Sequence, residues 1–129
     1  MYCSHILLND WGGFILRVLR GSDKSFNYRR LHRDLKLLQL PTDFNLIILD
    51  EIKTYWGLYH SSKKLIKSYV AGLSYETAFP HILHESIHHY QHYHQKDFKR
   101  KYGVMHDKIF KLLMEAKLNE WCLLYRDWR

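Results

Sequence analysis

The sequence predicts an α+β fold: a small antiparallel three-stranded sheet packed against a long motif helix and a closing C-terminal helix, with helices at the N-terminus. Three observations lead there. Apolar residues recur at helical spacing early and late in the chain. The middle holds three short runs rich in β-branched and aromatic residues. No repeat, low-complexity tract or Pro/Gly-rich linker interrupts the 129 residues, so residues 1–129 read as one domain. Hydrophobic residues at 47% and aromatics at 16% suffice for a packed core and exclude a disordered tail.

Taken in order, Trp11 to Leu19 reads as a short helix weakened by Gly12 and Gly13, and Gly21-Ser22-Asp23 as a turn. From Tyr28 to Leu40, Leu31, Leu35, Leu37 and Leu38 mark an amphipathic helix that Pro41 stops. Phe44 to Leu49, Tyr55 to Tyr59 and Leu65 to Val70 read as strands in a meander, with Ser61-Ser62-Lys63 turning between the last two. The longest helix spans Tyr75 to Gln95, with Thr77 as N-cap and Pro80 in its first turn. Lys96 to Gly103 is a basic loop, and His106 to Tyr125 the last helix, burying Ile109, Phe110, Leu113, Met114 and Leu118.

The chain carries 20 Lys and Arg against 13 Asp and Glu, a formal charge of +7. Such an excess favours polyanionic partners, DNA among them. Lys99, Arg100 and Lys101 are the candidate substrate- or nucleic-acid-binding residues, and Arg29, Arg30 and Arg33 cluster on an earlier helix. Tyr90, Tyr93 and Tyr102 interleave with the basic loop as single-stranded nucleic acid binding prefers. Cys3 and Cys122 form no CxxC pair, and no apolar run reaches the roughly 20 residues a membrane span needs. The expectation is a cytoplasmic protein with reduced thiols and no membrane partner; oligomeric state is not encoded in any pattern seen.

The motif that carries chemistry is His84-Glu85-Ser86-Ile87-His88. On a helix, His84 and His88 lie on one face a turn apart, placed to share one tetrahedral Zn2+. Glu85 points about 100° away, within reach of a water on the metal as general base. Ile82, Leu83 and Ile87 face the core behind it. With 10 histidines in the chain, a solvated histidine-rich face is the bland alternative. Three residues compete as third ligand. His106, beyond the loop, leads; Glu115 is the acidic choice. His94 sits at the metzincin position, but Gln91 replaces the Gly that would break the helix there.

The run Tyr55-Trp56-Gly57-Leu58-Tyr59, the strand at Leu65 to Val70, His84-Glu85-Ser86-Ile87-His88 and His106-Asp107-Lys108-Ile109-Phe110 together resemble a SprT-like zinc metalloprotease domain, a minimal zincin fold, over roughly Phe44 to Met114. The resemblance implies Zn2+ on His84, His88 and His106 with Glu85 as catalytic base, and protein substrates, including proteins bound to DNA. This chain departs from the family at Asp107, where a Gly is usual, and shows no zinc ribbon. The Leu65 to Val70 strand is expected to pair with an extended substrate. Two other classes fit the residues: an ImmA/IrrE-type repressor-cleaving peptidase with Glu115 as ligand, and a non-enzymatic basic module binding DNA or protein.

Overall fold

A computed structural model describes residues 4–7, 16–95 and 106–127. Among these, the order is β1 (Ser4–Leu7), β2 (Arg17–Leu19), α1 (Tyr28–Leu37), β3 (Asn45–Ile48), β4 (Gly57–His60), a 3-10 turn (Ser61–Lys63), β5 (Leu65–Ser68), α2 (Tyr75–Tyr93) and α3 (Lys108–Asp127). The fold is α+β as expected, but the sheet is five-stranded and mixed, in the order β1-β2-β3-β5-β4.

Two corrections follow. Arg17–Leu19 is a strand, pairing in parallel with β3, where the sequence suggested the end of a helix; Leu16 is buried and not helical, and residues 11–15 of that expected helix lie outside the described residues. The three expected strands exist, yet not as a meander. β3 pairs with β5 in parallel, and β4 folds back onto the far side of β5 as an antiparallel hairpin turned by Ser61–Lys63. Composition explains the order. Leu46, Ile47, Ile48, Leu65 and Ile66 are apolar on both strand faces, as interior parallel strands must be, and all are buried. Gly57-Leu58-Tyr59-His60 is half-buried throughout and takes the edge. β5 therefore has a neighbour on each side and no free edge for a substrate, contrary to expectation.

One face of the sheet meets α1 and α2. Leu31, Leu35, Leu46, Ile48, Ile66, Phe79, Ile82, Leu83 and Ile87 share one buried cluster there. Leu19, Ile47 and Leu65 form a smaller cluster of their own. Helix α1 starts at Asn27, whose side chain accepts from Arg30 N, and buries Leu31, Leu35 and Leu38 while Leu37 faces out. It ends before Pro41, in a Schellman motif. Gln39 adopts φ 59°, Leu40 N donates to Leu35 O (2.9 Å) and Gln39 N to Lys36 O (2.9 Å).

Helix α2 is capped by Ser74, one turn earlier than the Thr77 expected; its Oγ accepts from Thr77 N at 3.2 Å. Pro80 consequently lies inside the helix, past its first turn, where its missing N–H leaves the Glu76 carbonyl without the usual intrahelical donor. Helix α3 lies on α2, with Trp121 stacked on Phe79 (centroids 4.4 Å apart). Phe110 and Trp121 are buried and Leu113, Met114 and Leu118 partly so, whereas Ile109 points to solvent at 57% exposure. The start of α3 sets that phase and turns Ile109 off the seam.

A single carboxylate joins the three helices. Asp34 of α1 is wholly buried; its Oδ2 accepts from Tyr75 Oη of α2 (2.7 Å) and Trp121 Nε1 of α3 (3.0 Å). Burial and that carboxylate push the Tyr75 phenol above its usual range. Arg30 Nε stands 3.9 Å from Asp34, and Arg30 Nη1 donates to Glu76 at 3.2 Å while its guanidinium covers the Tyr75 ring. Arg30, grouped by sequence with a nucleic-acid-binding cluster, is thus engaged in holding α1 to α2.

Candidate metal centre

His84 and His88 project from one face of α2, as their spacing requires, and His106 arrives from the residue pair preceding α3. The three Nε2 atoms form a triangle with sides of 3.0 Å (His84–His106), 3.1 Å (His88–His106) and 3.3 Å (His84–His88). Nitrogens about 2.0–2.1 Å from one tetrahedral ion stand roughly 3.3 Å apart. At these separations three lone pairs meet at one point, which a metal cation satisfies and a proton on one ring does not. The donor set therefore fits a metal ion. Burial, with His106 and His81 nearby, lowers the His84 pKa to about 4, so this imidazole is neutral and its lone pair is available.

Two residues set this geometry without touching the triangle's centre. Phe110, buried, lies beneath all three rings, stacked on His88 at 4.4 Å and edge-on to His84 (4.9 Å) and His106 (5.0 Å). It stands four residues after His106, which gives a packing reason for an aromatic at that spacing. Asp107 caps α3: its Oδ1 accepts from Phe110 N at 2.8 Å. The residue that departs from the SprT-like pattern thus starts the helix immediately after the third imidazole.

Glu85 is buried, with Oε2 4.0 Å from His84 Nε2. Desolvation raises its carboxyl pKa to about 7 in the metal-free protein. Its side chain rests on the Gly57 backbone of β4. A Cβ at Gly57 would lie 3.0 Å from Lys67 O, 3.2 Å from Glu85 Cγ and 3.4 Å from Glu85 Oε2. Gly57→Ala is accordingly expected to displace the Glu85 carboxylate while leaving the three imidazoles in place. A crystal structure of Gly57→Ala with Glu85 unmoved would show that the carboxylate tolerates the added methyl.

The three imidazoles and Glu85 line a cavity of about 640 Å3 whose walls include Tyr55, Trp56, Tyr59, His81 and Met114. Trp56 is 52% exposed and stacks on His81 at 4.7 Å, forming an aromatic lip. Tyr90, grouped by sequence with the basic loop, packs partly buried against the core. Glu115 is exposed and belongs to no ligand group among the described residues. His94, the C-cap of α2, turns away to Asp43. Lys99, Arg100, Lys101 and Tyr102 lie outside the described residues, as does Cys3; Cys122 is free and exposed. No helix among the described residues is long and apolar enough to cross a membrane.

Comparisons with protein-family models, curated proteins and solved structures returned no match to this chain.

Proposed function

We propose that the chain is a zinc-dependent peptidase of the SprT-like kind, with His84, His88 and His106 holding Zn2+ and Glu85 as general base. The observation that carries this reading is the convergence of three Nε2 atoms within 3.0–3.3 Å beside a buried carboxylate, inside one cavity. When bound, Zn2+ supplies Lewis acidity that makes water nucleophilic near neutral pH and polarises a carbonyl. Glu85 takes the proton from the attacking water and passes it to the leaving amine. Its burial and its seat on Gly57 hold the carboxylate in place while this happens.

The sheet supplies the rest. β4 is an outer strand whose far edge is open among the described residues, and Gly57 at its start lies against Glu85. An extended polypeptide pairing with that edge runs its backbone past the imidazoles, as strand addition to a sheet edge does. The Trp56–His81 lip offers an apolar surface to its side chains. The SprT-like resemblance adds proteins bound to DNA to the substrate class, and the net charge of +7 agrees with a polyanion nearby. The place of His106 in the triangle favours this ligand set over the acidic one with Glu115.

The test is metal content and hydrolysis of an unfolded, fluorescently labelled protein. Chain purified without added metal is expected to contain zinc, to lose cleavage with a chelator and to regain it on adding Zn2+. Zinc held without hydrolysis of free or DNA-bound protein would favour the non-enzymatic module. A chain that takes up no zinc at all would end the reading.

A further inference from the structure

We propose that Asp43, His89 and His94 form a second metal site, separate from the first, holding a Zn2+ ion that fastens the end of the motif helix to the sheet. The three come from distant positions: Asp43 precedes β3, His89 lies in the last turns of α2, and His94 is its C-cap. His89 Nε2 is 2.8 Å from Asp43 Oδ1; His94 Nε2 is 2.9 Å from the same oxygen and 3.0 Å from Oδ2. One ligand atom from each lies within 4.8 Å of the others. His88 and His89 are adjacent in the chain but about 100° apart around the helix, so they serve different groups.

His89 is the residue on which the site rests. Its side chain is wholly buried, and both ring nitrogens are engaged: Nε2 with Asp43 and Nδ1 with Tyr59 Oη at 2.7 Å. Metal-ligating imidazoles are oriented in this way, by a partner on the nitrogen that does not bind the ion. With Nδ1–H donating to Tyr59, the Nε2 lone pair faces the Asp43 carboxylate, and an ion entering between them moves the two ligand atoms from the 2.8 Å of a direct hydrogen bond to the roughly 3.3 Å of two ligands on one tetrahedral ion. The rings of Phe44 and Tyr59 wall the imidazole edge-on at 5.5 Å each. Lys64 Nζ, 4.0 Å from Asp43 Oδ2, is the other cation at the cluster; it sits on an exposed side chain and lies over the Tyr93 ring.

Two imidazoles and a carboxylate are a zinc donor set, and the partial exposure of His94 leaves the fourth position to water. The ion joins the segment before β3 to the last turn of α2, while Tyr59 joins His89 to β4. Its role is structural, since the site does not open into the cavity that holds Glu85.

The experiment is Zn2+ stoichiometry by plasma mass spectrometry, with Co2+ titration read by visible absorption, on four proteins whose folding is checked by circular dichroism. Wild type should bind two equivalents. His84→Gln/His106→Gln should keep one, Asp43→Asn/His94→Gln should keep the other, and the combined variant should keep neither, with affinity for the missing ion down at least about 100-fold. In His84→Gln/His106→Gln, chelation should also lower the melting temperature. Wild type binding a single equivalent, lost in His84→Gln/His106→Gln, would overturn the proposal and leave Asp43, His89 and His94 as a hydrogen-bonded cluster. Asp43→Asn/His94→Gln retaining two equivalents would overturn it equally. Because the first centre is removed separately, both results leave the proposed peptidase centre standing while removing the second site.

Discussion

Replacing Asp34 by alanine is expected to lower the free energy of unfolding by about 3–5 kcal/mol, as loss of one partner from a buried charged network does. The carboxylate is inaccessible to water and serves one residue from each of the other two helices, Tyr75 and Trp121. Removing it strands a partly buried hydroxyl and a buried indole N–H, the latter costing about 1–3 kcal/mol. It also leaves Arg30 and Arg33 without the charge both approach within 4 Å. Asp34→Asn keeps the acceptor and loses the charge, so its loss should be smaller. Urea denaturation at constant m measures both. A loss below about 1 kcal/mol in Asp34→Ala would mean the helices are held by apolar contacts such as Phe79 on Trp121, with the carboxylate incidental.

The second large effect belongs to Glu85. Glu85→Gln should reduce hydrolysis about 10²–10⁴-fold, the usual contribution of a positioned general base. Zinc should remain, because Glu85 stands outside the Nε2 triangle. The substitution is close to isosteric, so the packing on Gly57 is kept and the loss reports proton transfer alone. Comparing turnover and metal content in the two purified proteins separates the cases. Unchanged turnover would remove Glu85 from the mechanism, and lost zinc would make it a structural support of the ligands.

Much of this site was legible before any coordinates. The i,i+4 pair, the intervening Glu and the later His need only helical periodicity and a chain return, and the structure brings His84, Glu85, His88 and His106 together. The roles of Phe110 and Asp107 were not legible in the same way. Both act through packing and capping around a turn whose phase depends on where α3 begins. The Asp43, His89 and His94 group escaped because Asp43 stands 46 and 51 residues from the two histidines, with no local spacing to connect them. Sheet order failed for a related reason. Three short strands in sequence suggest a meander, and only the two-sided apolarity of Ile47 and Leu65 against the mixed Gly57–His60 run distinguishes interior from edge. Arg17–Leu19 is too short to outweigh its neighbours, and parallel pairing with β3 decides its conformation.

The spacing of the three imidazoles along the chain has one more consequence. His88 and His106 are 18 residues apart, so an ion held by both is a cross-link as well as a chemical group. A cross-link restricts the unfolded chain, and by loop-closure entropy a span of this size is worth about 3 kcal/mol, provided the link persists on unfolding. An unfolded chain releases its ion instead, so with the proposed zinc bound, resistance to denaturation would follow free zinc concentration, rising by about 1.4 kcal/mol for each tenfold excess over the dissociation constant.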